Sequence, residues 1–424
     1  MIPSKAGCWA AEPRMDGAVA ESDPAPPLYL DACATSPLAP EALQAMEEVW
    51  RMAWGNPSSL HSIGMAAAER LERSRMDLAL DLGADPEEVV WCSGGSEAIQ
   101  SALLGSAASL EPGRLVISAV EHPATEAAAS VLSRQGWRVE RWPVDREGVL
   151  RLEHLEPLLE PPTRLVSLIW GQSEVGSLQP IHTIGQECRK RGILLHVDAV
   201  QVLGHIPMDW GSLPVDLLSG AAHKLQGPRG IGVLLVRKGL ALEPLIGGVQ
   251  ERGRRGGTEP VALAAGFATA LRICRTRLET HGGDDPLAVL RDALWRAVRA
   301  LPGVELLGPE PGDSGRRLPH HLSLLVRTGQ GQPIPGRALV RALDRGGLAC
   351  SSGAACSARR TLLPGQESSP AGASPVLMAM GYSTEEAMAG LRLSLGPWLE
   401  AADLATVPDT LTHAITEVES SLKT

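Results

Sequence analysis

Aromatic side chains are scarce in this 424-residue chain, which has one Phe, two Tyr and an aromatic content of 3 %. Aliphatic residues must therefore build most of the core. At 44 % hydrophobic and 21 % charged, the composition is that of an ordinary soluble globular protein. Excess positive charge is missing too. The formal charge of −10 excludes a broad nucleic-acid surface, because neutralising phosphates needs clustered Lys and Arg. The local basic stretch at 252–255 reads as a solvated or phosphate-facing loop. No apolar run approaches the roughly 18 residues that a membrane span requires. The seven cysteines are odd in number and lack CxxC spacing, which argues against a disulfide framework and for a reducing, cytoplasmic compartment. The first 27 residues hold no apolar run of signal-peptide length and are broken by Pro3, Pro13, Pro24, Pro26 and Pro27. We expect a poorly ordered extension there.

What is present is alternation. Between residues 28 and 274, short apolar runs at 89–92, 115–118, 165–170, 193–197 and 231–236 read as buried strands. Helix-like stretches at 97–109, 125–135 and 181–191 separate them. That pattern predicts an α/β large domain over 28–280 with a mostly parallel sheet covered on both faces. A helix at 261–277 and a linker at 281–286 precede a smaller α+β domain over 281–424. That domain is expected to contain helices at 287–301, 337–346 and 408–422, and strands at 322–326 and 391–395. The first residues after 27 are expected to pack on it. A Gly/Ser/Pro-rich stretch at 358–374 follows Cys356 and is too poor in apolar residues to pack.

Four local features carry chemistry. Ser93-Gly94-Gly95-Ser96-Glu97 lies between a strand and a helix, where glycines and free helix N–H groups suit a phosphate. Alone, it reads equally well as a tight turn with Ser96 as N-cap. His196-Val-Asp198-Ala-Val-Gln201 ends an apolar run, so Asp198 faces the ligand crevice and is suited to keep a pyridine nitrogen protonated. Alone, it reads better as a helix cap. His223-Lys224 stands among small and apolar residues before a glycine-rich turn, a setting that suits Schiff-base chemistry, although a snorkelling lysine is commoner. Cys350-Ser-Ser-Gly353-Ala-Ala-Cys356 places a thiol at the root of a soft stretch. Most free cysteines are merely small buried hydrophobes, and the other six fit that description.

Taken in order, several motifs resemble the cysteine desulfurases of the NifS/IscS type within the class V aminotransferases. They are Tyr29-Leu-Asp31-Ala-Cys-Ala-Thr-Ser-Pro37, Gly55-Asn56-Pro57-Ser58-Ser59-Leu60-His61, Ser93 to Ala98, Glu121-His122-Pro123, His196 to Gln201 and His223-Lys224. Arg255-Gly-Gly-Thr258-Glu, Ser351 to Cys356 and Leu391-Arg392-Leu-Ser-Leu-Gly396 complete the set. The resemblance spans residue 28 to the C-terminus. It implies the pyridoxal-phosphate (PLP) transferase fold of type I, with a mostly parallel seven-stranded sheet and a smaller α+β C-terminal domain.

The resemblance also implies roles. Lys224 would carry PLP, Asp198 would pair with its ring nitrogen, and His122 would stack on the ring and move protons. Gln201 and Ser173 would face the phenolic oxygen. Gly95, Ser96 and His223 would hold the phosphate, with Thr258 arriving across a homodimer interface. Arg392 would clamp the carboxylate of L-cysteine, and Asn56, with Ser58 and His61, would line the entrance. Cys356 would take the sulfur as a persulfide. It would pass that sulfur to an iron–sulfur scaffold or another acceptor, touching a partner's iron–sulfur cluster only transiently. No resident metal, nucleic acid or membrane is implied.

The chain departs from the family pattern in three places. Ser173 stands where an Asn is usual, so either a water bridges the gap or Gln172 fills the place. Ala221 stands where a phosphate-binding Ser is common, and the stretch after Cys356 is longer than usual. A selenocysteine lyase, another class V PLP enzyme, or a weakened PLP-binding paralogue serving acceptor proteins are the competing readings. Intact Lys224, Asp198, His122, Cys356 and Arg392 weigh against the last.

Overall fold

The computed structural model describes residues 27–312, 315–353 and 372–422. Cys356, the extension at 1–26 and most of the soft stretch at 358–374 lie outside the described residues. The chain enters as a short strand β1 (Leu28–Tyr29) and continues into helices α1 (Pro40–Met52) and α2 (Ser62–Leu82). Pro40 opens α1 in its first turn, where a missing N–H costs nothing. Gly83 closes α2 at φ 66°, the left-handed conformation that glycine adopts freely.

Strands and helices then alternate: β2 (Val89–Cys92), α3 (Gly95–Ala107), β3 (Arg114–Ser118), α4 (Pro123–Arg134), β4 (Arg138–Trp142), α5 (Leu155–Leu159), β5 (Thr163–Ile169), α6 (Ile181–Arg191), β6 (Leu194–Asp198), β7 (Leu217–Ala221) and β8 (Gly232–Val236). They form the expected seven-stranded sheet, in the order β2-β8-β7-β6-β5-β3-β4. Only β8 is reversed, pairing antiparallel with both β2 and β7. Strands β2, β3, β7 and β8 are buried at every position, which is why they read as unbroken apolar runs. Along β2, Val89 and Trp91 face a core shared with α1, α2 and α7 (Val261–Thr280). Val90 and Cys92 face the opposite layer, where α3 packs.

The rest of the chain comprises α8 (Leu287–Val298), β9 (Val304–Leu307), β10 (His321–Val326), α9 (Gly336–Arg345), β11 (Leu348–Ala349), α10 (Pro375–Ala379), α11 (Thr384–Ala387), β12 (Gly390–Ser394) and α12 (Val407–Leu422). An antiparallel sheet of order β12-β10-β9 carries a second core with α8, α9 and α12. Strand β1 pairs with β11, Leu28 opposite Leu348, and Leu30 is buried in this second core. Leu307, Leu325 and Val376, by contrast, belong to the first core.

Candidate active site

Loops leaving the C-terminal ends of β2, β3, β5, β6 and β7 meet along one edge of the large sheet, where an open α/β sheet takes its ligands. Asp198 ends β6 and is 3 % exposed. Its Oδ1 accepts from the Val200 N–H at 2.9 Å. Burial pushes its carboxyl up to about 6, against the pull of Lys224. Two residues earlier on the same face, His196 lies between the hydroxyls of Ser167 and Ser219, each at 2.8 Å. Burial takes that ring down to about 3, so it stays neutral.

Lys224 closes a single 3-10 turn directly after β7. Its Nζ donates to the carbonyls of Cys33 at 2.5 Å and Ala34 at 2.8 Å. These belong to a strap, residues 31–36, that leaves the second core and crosses to the first. Gln201 Nε2 donates to the same Cys33 carbonyl at 2.9 Å. Nδ1 of His223 lies 3.2 Å from the Thr35 hydroxyl. Burial, with Lys224 and Arg229 nearby, lowers His223 to about 4. Ser36 Oγ donates to the His223 carbonyl at 2.9 Å and accepts from Gln226 N at 2.7 Å. Sequence reasoning assigned none of the strap residues a role. The run from Asp31 to Pro37 was visible as a motif, but its partners lie about 190 residues away.

The glycine loop after β2 runs into α3, whose N-cap is Gly94 rather than Ser96. A Cβ on Gly94 would meet nothing within 4 Å, whereas one on Gly95 would lie 2.9 Å from Val200 Cγ2 and 3.6 Å from Ala221 Cβ. The helix N-terminus therefore opens beside the ends of β6 and β7, with Ser96 exposed. Glu97 Oε2 folds back to accept from Ser93 N at 2.7 Å.

His122 caps α4 just after β3, its Nδ1 accepting from Ala124 N at 3.1 Å. That bond leaves the proton of the neutral ring on Nε2. The neighbouring Glu121 fastens this turn to β5 by accepting from Ile169 N at 2.7 Å, and burial raises its carboxyl to about 8.

Arg392, on β12, is buried. Its Nη2 donates to Asp31 Oδ1 at 2.8 Å and its Nη1 to the Ser173 carbonyl at 2.9 Å, while Nε has no partner among the described residues. Gln172 does not fill the place that Ser173 leaves short. Its amide donates to the Val120 carbonyl and accepts from Glu174 N and Val175 N, so both ends are held. Asn56 and Thr258 stand apart from this cluster. Asn56 is exposed, with Oδ1 accepting from Ser58 N at 2.9 Å, and Thr258 is exposed at the end of the loop before α7.

These residues fit PLP. A primary amine at Lys224 suits the cofactor's carbonyl. A buried carboxylate at Asp198, with only one N–H bond and Lys224 for countercharge, suits a protonated ring nitrogen. The open N-terminus of α3 suits its phosphate.

The model of the family described as aminotransferase class-V matches residues 28–407, and the chain belongs to that family. It is 35 % identical over 392 residues to a cysteine desulfurase IscS of Clostridium botulinum, covering 92 % of this chain and 94 % of that protein. It is 37 % identical over 400 residues to a cysteine desulfurase of Cereibacter sphaeroides, covering 93 % and 97 %. Among solved structures, a NifS-like protein superposes with a TM-score of 0.79 at 30 % identity, covering 94 % of this chain and 99 % of that one. SspA in complex with cysteine gives 0.73 at 27 %, covering 87 % and 99 %. Within the family, the chain falls among the PLP-dependent cysteine desulfurases of the NifS/IscS type.

Proposed function

We propose that the chain removes sulfur from L-cysteine, leaving L-alanine and a persulfide on Cys356. The observation that carries the reading is Lys224 Nζ, held by the Cys33 and Ala34 carbonyls at the sheet edge that buries Asp198. PLP supplies an electron sink for bonds at the substrate's α-carbon. Arg392 orients the substrate carboxylate, already steered by Asp31 and the Ser173 carbonyl. His122 presents a proton at Nε2. The Cys356 thiolate forms a bond to the substrate sulfur while the C–S bond breaks. Its electrons stay on carbon, which takes up a proton to become the methyl group of alanine.

Two findings support Cys356 as the acceptor. The described cysteines are all free, and four of the five are buried. Burial raises the thiols of Cys188 and Cys350 to about 12 and of Cys274 to about 11, and also raises Cys33 and Cys92, so none is poised as a thiolate. The chain leading to Cys356 also leaves from Arg392, since Ser351 exchanges two backbone bonds with it at 2.7 and 3.2 Å. Delivery then goes to an iron–sulfur scaffold or another acceptor in the cytoplasm.

A homodimer with Thr258 reaching the partner's phosphate site completes the reading. Met52 at 80 %, Leu60 at 94 % and Val249 at 84 % exposure supply apolar surface that a second copy would cover. The test is to incubate the purified protein with cysteine and a reductant, measuring alanine, sulfide and visible absorbance. Lys224→Ala is expected to lose the cofactor's visible band and all alanine release. A variant that kept both would refute the assignment.

A further inference from the structure

Residues 237–260 run from β8 to α7 along the flank of α2 and β2, and a buried ion pair fastens them there. Arg75 of α2 and Glu251 expose only 2 % and 1 % of their side chains. Arg75 Nη1 donates to Glu251 Oε2 at 2.7 Å and Nη2 to Oε1 at 2.8 Å. Further bonds tie the pair to its surroundings. Nη1 also reaches the Val89 carbonyl at 2.9 Å, Nε reaches Glu72 at 3.0 Å, and Trp91 N donates to Glu251 Oε2 at 2.8 Å.

The backbone at this point is strained. Glu251 and Arg252 have φ of 47° and 58°, the left-handed region that side chains other than glycine's adopt at a cost. Such a corner persists only where its surroundings over-determine it. A buried ion pair is also a poor device for stability alone, because desolvation offsets much of its attraction. Beyond the corner, Arg255 Nε donates to Glu97 at 3.0 Å, and Glu97 holds Ser93 of the glycine loop. The loop doubles back so tightly that a Cβ on Gly256 would lie 2.1 Å from the Gly247 carbonyl oxygen. Leu245, Ile246, Val249 and Thr258 are left facing solvent.

We propose that Arg75 and Glu251 are positioning residues that hold this corner so that the loop meets a second copy of the chain already shaped. The apolar side chains dock, and Thr258 arrives at the partner's glycine loop. A preformed loop loses little freedom on association, so affinity rests on its shape before contact. The Arg255–Glu97–Ser93 tie means that each subunit's own glycine loop is braced by the segment that serves its partner. The inference rests on the homodimeric reading above.

The test uses full-length holoenzyme, with dimer dissociation followed by sedimentation over a dilution series and cofactor release by absorbance. The double change Arg75→Met with Glu251→Leu leaves no unpaired charge in the core, at the expense of the bonds to the Val89 carbonyl and Trp91 N. Glu251→Gln is its single-site companion, and urea melts of each confirm the fold. Both are expected to weaken the dimer about tenfold and to release cofactor several-fold faster even where dimeric. Thr258→Val should speed cofactor release and leave the dimer intact. A double variant that associates and retains cofactor as the wild type does, while the wild type is a dimer, overturns this inference alone. A wild type that stays monomeric throughout the series overturns the dimeric reading, and this inference with it.

Discussion

At Asp198 burial acts directly on the candidate site. Its carboxyl titrates near 6 in the folded chain against an ordinary value of 3.8, so the fold favours its neutral form. The stability this provides is complete below the ordinary carboxyl range and is lost as pH rises to about 6. Without cofactor, the ionised group then costs roughly 3 kcal/mol at neutral pH, since each tenfold change in proton affinity is worth about 1.4 kcal/mol. Asp198→Asn should therefore melt later than the wild-type apoprotein at pH 7.5, with the advantage vanishing near pH 4. The same variant should bind PLP more weakly, because it offers no charge to a ring cation. Equal melting of the two apoproteins at both pH values would show that water still reaches the carboxylate. Ala221 gives a second prediction at this scale. It ends β7, and its Cβ is 3.6 Å from where a Cβ on Gly95 would lie. Ala221→Ser places a hydroxyl beside the helix terminus that suits the phosphate, and a hydrogen bond to a charged group is worth about 1.5–3 kcal/mol. Equilibrium dialysis should show PLP bound about tenfold more tightly or better. An unchanged constant would mean that the phosphate lies elsewhere.

At the scale of elements, the strap at 31–36 ties both cores to the lysine turn. Ser36 is its most committed member, donating to the His223 carbonyl and accepting from Gln226 N, whose residue sits at φ 63°. Ser36→Ala leaves that half-buried N–H without its partner, at a cost of about 1 kcal/mol. The variant should melt at a lower temperature and release cofactor faster at constant pH. Normal release from a destabilised variant would reduce the strap to a structural brace. The strap also shows where sequence reasoning ended. Strands such as Val89–Cys92, and the helix Ile181–Arg191, were legible because burial on both faces or on one stripe writes itself into local periodicity. Leu217–Ala221 was missed because three of its five residues are Ser, Gly and Ala. Arg138–Trp142 was missed because an edge strand alternates charge with apolar residues. Helices α1 and α2 also went unread. The glycine loop, Asp198 and Lys224 stood out in their local settings, but there a turn, a helix cap and a snorkelling lysine explained them as well or better, and only the ordered set of motifs turned the reading toward a site. The carbonyls that receive Lys224 and the Asp31 that steers Arg392 were not legible, because those contacts span about 190 and 361 residues.

Across the whole molecule, the two cores meet at a buried cluster behind the strap. Asp285, in the connection to α8, accepts from Arg277 Nη2 at 2.9 Å and lies 2.9 Å from His205 Nδ1. The His205 ring stacks on His320, just before β10, with centroids 3.8 Å apart, and His320 Nε2 lies 3.4 Å from the Cys33 thiol. One carboxylate thus anchors groups from both cores and, through Cys33, backs the strap that holds Lys224. Burial pushes the Asp285 carboxyl up, but His205 and Arg277 outweigh it and leave its pKa lowered. Its stabilisation is therefore present above the ordinary carboxyl range and is lost only as pH falls through that lowered value. Asp285→Asn removes the charge while keeping the shape and leaves Arg277 uncompensated, at a cost of about 3–5 kcal/mol for a broken buried pair. Urea melts at pH 7 should show a loss of that order, and the gap between wild type and variant should narrow below about pH 4 as Asp285 itself takes a proton. Because the cluster reaches Cys33, the variant is also expected to lose PLP faster than a control of equal stability altered on the far face of α12. A gap that stays constant from pH 7 to pH 3 would show that the Asp285 charge does no work in the joint, leaving packing alone to hold the two cores together.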